Sequence, residues 1–154
     1  MRAIDGKYLT FALCGEEYGI PILQVKEIIG ITSITRMPEM PEYVKGVINL
    51  RGKVIPVTDM RLRFDLAPMD YNERTCIIVV EVESGHAKVP VGLVVDAVSE
   101  VANVKEAEIE ETPHLGASSH IEYVSGLAKL QGNVKILLDI NRIFSPETVN
   151  QLSS

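Results

Sequence analysis

Apolar and polar residues alternate with a period of two along KYLTFALCG (7–15) and again along EEYGIPI (16–22), with a glycine and acidic residues between them. That is the pattern of a β-hairpin, and TCIIVVEVE (75–83) with KVPVGLVVD (88–96) predicts a second one. The period changes in ILQVKEIIG (22–30), where Val25, Ile28 and Ile29 are spaced as on one helical turn. Val98, Val101 and Ala102 repeat that spacing in VDAVSEVAN (95–103), so a short amphipathic helical segment is expected at both places. Its apolar face either packs into the protein's own core, leaving Glu27 and Glu100 to solvent, or lines a groove for a partner.

GVINLRGKVIPVTDM (46–60) predicts a further hairpin, with Gly52 at its tip taking the positive φ that glycine tolerates without steric cost. VINL and KVIPV are apolar on both alternating faces, which calls for cover on two sides. DMRLRF (59–64) and DINRIF (139–144) each open with an aspartate suited to capping a helix, so each predicts one brief helix. SPETVNQL (145–152) predicts a C-terminal helix with Ser145 as its cap and Pro146 in its first turn.

These elements occur twice. GVINLRGKVIPVTDMRLRF (46–64) aligns without gaps on GLAKLQGNVKILLDINRIF (126–144), matching Gly46 to Gly126, Leu50 to Leu130, Gly52 to Gly132, Val54 to Val134, Asp59 to Asp139 and Phe64 to Phe144. GIPILQVKEII (19–29) aligns on GLVVDAVSEVA (92–102). A duplicated unit of short strands follows, spanning about 8–64 and about 75–144. Its strand number suits a small barrel, because closure removes exposed edges.

Composition narrows the function. The chain has 154 residues, 5% aromatics and a formal net charge of −6, without the clustered Lys and Arg that a nucleic-acid surface needs. The amino terminus has no signal-peptide core and no apolar run reaches bilayer length, which points to the cytoplasm. Cys14 and Cys76 lie in apolar runs and are expected to be buried thiols. No phosphate-binding loop, nucleophile elbow or zinc-spaced Cys/His set occurs, and His86, His114 and His120 fall in predicted loops. Met37 and Met40, beside Pro38 and Pro41, suit either a loop plug or an adaptable binding surface.

EEYGIPILQVKEI, RMPEMPEYVKGVINLRGKVIPVTDMRLRF, GLVVDAVSEV and GLAKLQGNVKILLDINRIF together resemble the CheW family of bacterial chemotaxis coupling proteins, over about residues 8–146. The resemblance implies one CheW-like domain over 1–154, all-β with short helices, built as two intertwined five-stranded SH3-like β-barrel subdomains around a shared core. The first is about 8–64 plus the C-terminal helix and the second about 75–144. It also implies an adaptor without enzymatic activity or cofactor, cytoplasmic and recruited to membrane-associated receptor arrays. Its partners would be the cytoplasmic tip of methyl-accepting chemoreceptors and the regulatory domain of the histidine kinase CheA. Carried over by position, receptor contacts fall on Val25, Glu27, Ile28, Asn49, Arg51, Val91 and Val101, and kinase contacts on Gly30, Met40, Val44 and Gly46. Tyr43 stands where the family often has Phe, and Cys76 where Val is common. An adaptor for a pilus or gliding pathway would share this fold; a small-molecule-binding barrel is the alternative of another class.

The internal repeat isolates one polar pair. Glu27 corresponds to Glu100 but Arg51 corresponds to Gln131, so only the first copy can join the two by a salt bridge. Glu27 and Arg51 are expected to pair across the surface, with the guanidinium as a fork.

Overall fold

The computed structural model describes residues 3–84, 87–111 and 123–144; the expected C-terminal helix and the three histidines fall outside them. In the first copy the order is β1 (Gly6–Leu13), β2 (Glu16–Pro21), β3 (Val25–Gly30), β4 (Val44–Leu50), β5 (Lys53–Asp59) and α1 (Met60–Arg63). The second runs β6 (Cys76–Ser84), β7 (Ala87–Val95), β8 (Ala97–Val104), β9 (Ile109–Glu110), β10 (Val124–Leu130), β11 (Asn133–Leu138) and α2 (Ile140–Ile143). Both helices are capped as expected: Asp59 accepts from the amides of Arg61 and Leu62, and Asp139 from that of Asn141.

The segments with helical spacing are strands. Residues 25–30 form β3 and residues 97–104 form β8. Val25 packs against the largest apolar cluster and Ile29 against a second one, while Ile28 between them is 43% exposed. One outward apolar residue therefore imitates a helical period, and Val101, 51% exposed on β8, does so in the second copy.

The strands form two antiparallel-rich sheets of order β3-β6-β7-β5-β4 and β8-β1-β2-β11-β10-β9. Exchanging each strand for its repeat counterpart converts the first order into the first five strands of the second. Every sheet thus draws on both sequence copies, joined by parallel pairs between β2 and β11 (Tyr18 opposite Ile136) and between β5 and β7 (Val57 opposite Gly92). Among the described residues the expected closed barrels are not formed. β3 and β4 remain the two edges of the five-stranded sheet, and the six-stranded sheet ends in β8 and the added strand β9.

Three apolar clusters fill this architecture. The largest lies between the sheets and contains Leu9, Phe11, Ile20, Ile78, Val80, Val91, Leu93, Leu138 and Ile143; each sheet also encloses its own cluster, around Ile55 and Val79 in one and Tyr8 and Leu137 in the other. Because β6 feeds Ile78 and Val80 to the central cluster and Ile77 and Val79 to the inner one, it is buried on both faces, which its unbroken apolar run requires. A row of stacked rings, Phe11, Tyr18, Phe64 and Tyr123, continues the central cluster.

Three two-residue turns share one geometry: Cys14-Gly15, Arg51-Gly52 and Gln131-Gly132 all take positive φ at both central residues, the arrangement that matches strand twist. Cys14 is therefore exposed at a turn tip rather than buried, and Cys76 is half-buried. A Cβ on Gly52 or Gly132 would meet nothing within 4 Å, so only the positive φ, +86° and +83°, penalises alanine there. Gly52→Ala and Gly132→Ala are each expected to cost about 1 kcal/mol, equally within error in urea melts.

Candidate functional site

The open seam of the five-stranded sheet is bridged by side chains instead of backbone. Arg51, at the tip of the β4–β5 hairpin, reaches across to Glu27 on β3: its Nη2 donates to both carboxylate oxygens, the longer of the two bonds being 2.7 Å. One amine spans both oxygens, in place of the two-pronged fork expected. The bond to Glu27 and its charge raise the Arg51 pKa further above its ordinary value, keeping the guanidinium charged at every accessible pH. Behind the bridge is a recess of about 300 Å³ lined by Lys26, Leu50, Lys53, Ile55, Val79 and Pro90. Asn49 stands beside it, its Oδ1 accepting the Gly52 amide at 2.8 Å.

The corresponding place on the six-stranded sheet is built differently. A recess of about 380 Å³ lies among Glu100, Asn103, Glu108, Gln131, Asn133 and Lys135, so a lysine stands in the position of Ile55. Lys135 turns inward to Glu17 at 3.4 Å. Lys129, the counterpart of Asn49, pairs with Glu110 on β9 at 2.6 Å. Among the described residues Glu100 forms no ion pair: Gln131, in the place of Arg51, is uncharged, and Lys135 in the same recess is paired with Glu17. The duplicated scaffold thus carries one latched seam and one unlatched seam.

The other expected contact residues divide. Ile28 and Gly30 are exposed on edge strand β3, the strand that carries Glu27, while Val25 is half-buried. Val101 is exposed but on β8, in the other sheet. Val91 is 1% exposed inside the central cluster, so its side chain cannot be touched by a partner; the expected direct contact there is corrected to a packing role. Met40 and Val44 share a cavity of about 500 Å³ with Ile34, Met37, Leu62 and Tyr71, although Val44 itself is 7% exposed. Gly46 is buried beneath the chain at Thr35, which leaves no surface for the expected contact. Gly30 and Gly46 do not line that cavity.

Two arginines were not singled out by the sequence reading. Arg61 on α1 donates from Nε and Nη2 to the two oxygens of Asp96 at 2.7 and 2.6 Å, and Asp96 also accepts the Cys14 amide at 2.8 Å. This group ties α1, the β7–β8 junction and the β1–β2 turn together. Arg63 lies between the rings of Tyr43 and Tyr123, 5.5 Å from each, and donates to the Ile143 carbonyl. Their counterparts are Asn141 and Ile143, so the asymmetry that exposed Arg51 would have exposed both.

Among the described residues no three His, Cys, Asp or Glu side chains gather to hold a metal, and no helix is long and apolar enough to cross a membrane. The duplicated two-sheet scaffold carries one latched recess, on the five-stranded sheet. The CheW-like domain model matches residues 7–147, and this chain belongs to that family. It is 38% identical over 146 residues to the chemotaxis protein CheW of Klebsiella aerogenes, covering 95% of this chain and 86% of that one. To CheW of Bacillus subtilis it is 32% identical over 142 residues, covering 92% and 88%. The crystal structure of the scaffolding protein TtCheW from Thermoanaerobacter tengcongensis superposes with a TM-score of 0.80 at 36% identity, covering 92% of this chain and 94% of that one. The protein is a chemotaxis scaffold and not an enzyme.

Proposed function

We propose that this chain links the cytoplasmic tips of chemoreceptors to the regulatory domain of the histidine kinase CheA, acting in the cytoplasm at receptor arrays. The observation that supports this most directly is the Glu27–Arg51 bridge, which one copy of the duplicated hairpin carries and the other lacks, beside the exposed Ile28. An adaptor without chemistry changes kinase output only by binding the kinase's states with different affinity, so its surfaces must convert receptor conformation into a difference in binding energy. Individual contacts near micromolar, about −8 kcal/mol, suffice because repeated sites in an array raise the effective concentration.

The test is capture of a receptor cytoplasmic fragment and, separately, of the kinase regulatory domain. Arg51→Ala and Glu27→Ala should each weaken capture of at least one of them roughly tenfold while leaving the melting temperature unchanged. The double variant should lose no more than either single one, since each change alone removes the bridge. Failure of the wild-type chain to capture either fragment overturns the reading; fully additive losses show that the two residues contact partners independently.

A further inference from the structure

We infer that Asn49 is a positioning residue: it does not itself form the binding surface but holds the hairpin tip so that Arg51 stays on Glu27. The Asn49 Oδ1 accepts the Gly52 amide at 2.8 Å, closing a ring of chain around Arg51. Arg51 takes the left-handed φ of 52° that the two-residue turn itself imposes, so what the clamp adds is a second tie between the tip and β4. A tip free to rock on its two strands would swing a long, largely exposed side chain off a carboxylate on another strand.

The second hairpin supplies the control. Gln131 and Gly132 take nearly the same φ values, 51° and 83°, so the turn forms without an asparagine clamp and Asn49 is not needed to make it. Lys129 in place of Asn49 points away to Glu110, and Gln131 has no cross-seam ion pair to maintain. Clamp and latch therefore occur together in one copy and are both missing from the other, as expected if the clamp serves the latch and not the fold.

The inference rests on the Glu27–Arg51 bridge being a binding element, so its test begins with the free protein. In the isotope-labelled full chain, Asn49→Ala is expected to speed hydrogen exchange of the Gly52 amide and to lower the order of the Arg51 Nε–H. Asn49→Asp, which keeps the acceptor oxygen, should restore both. Capture of the receptor fragment or kinase domain should fall roughly three- to tenfold in Asn49→Ala, the scale of one hydrogen bond. Adding Asn49→Ala to Arg51→Ala should cost nothing further. An Arg51 as ordered in Asn49→Ala as in the wild type overturns the positioning role, as does an additive loss in the double variant, which would make Asn49 a direct contact. If the wild-type chain captures neither fragment, the proposed function fails while the Arg51 order still decides whether Asn49 positions it.

Discussion

Alanine at Gly46 is expected to destabilise the fold by about 3 kcal/mol or more, the combined scale of backbone strain and forced overpacking. A Cβ there would stand 2.0 Å from the Thr35 carbonyl oxygen and 2.7 Å from its carbon, and the position already has φ +146°. The obstruction cannot move aside cheaply, because Thr35 and Val47 exchange both backbone hydrogen bonds at 2.8 Å and fix the crossing chain in place. At the matching Gly126 the nearest atom is the Ile109 side chain at 3.1 Å, so Gly126→Ala should be distinctly milder. Urea melts of the two variants beside Gly52→Ala should rank Gly46 as the most damaging. Weakened kinase capture by a Gly46 variant that melts like the wild type would show a direct contact and defeat the steric account.

Removing either partner of the Arg61–Asp96 pair should cost about 3 kcal/mol, because each side chain is largely covered, at 13% and 16% exposure, and the survivor keeps an uncompensated charge. Asp96→Ala also leaves the Cys14 amide without its acceptor. Burial on its own raises the Asp96 pKa, but the hydrogen bonds from Arg61 and the Cys14 amide, with the guanidinium charge, outweigh it and hold the carboxyl below the usual range. A depressed folded pKa gives stability that is complete above the unfolded value of about 3.9 and lost as pH falls through the folded value. Wild-type stability should therefore fall below about pH 4 by a component that Asp96→Asn lacks. Superimposable acid-unfolding profiles would show that the pair carries no such linkage.

Much of this was legible in the sequence because the chain repeats itself. The hairpins came from alternation and turn residues and the short helices from the capping Asp59 and Asp139, while the Glu27–Arg51 pairing came from comparing like positions. The misreadings share a physical origin: side-chain pattern reports which face is covered but not what covers it. Ile28 and Val101 are apolar and outward, so they broke the period-two signal of genuine strands. Cys14 looked buried beside Leu13, but it belongs to the turn. Barrel closure was inferred from strand number, whereas edge pairing depends on long-range geometry that no local pattern encodes, and here Arg51 spans the gap. Val91 was carried over as a contact, although its place in the alternation of β7, with Val89, Leu93 and Val95 in the same cluster, already marked it as core.

The exchange of strands between copies has a consequence for how the molecule is made. On the ribosome β1 and β2 emerge long before their neighbours in the sheet, β8 and β11. The five-stranded sheet likewise waits for β6 and β7 before β3 gains a neighbour and the β4–β5 hairpin is joined to it. The nascent chain must keep adhesive strand edges unpaired through most of its own translation, a burden that high contact order imposes on folding speed and on aggregation.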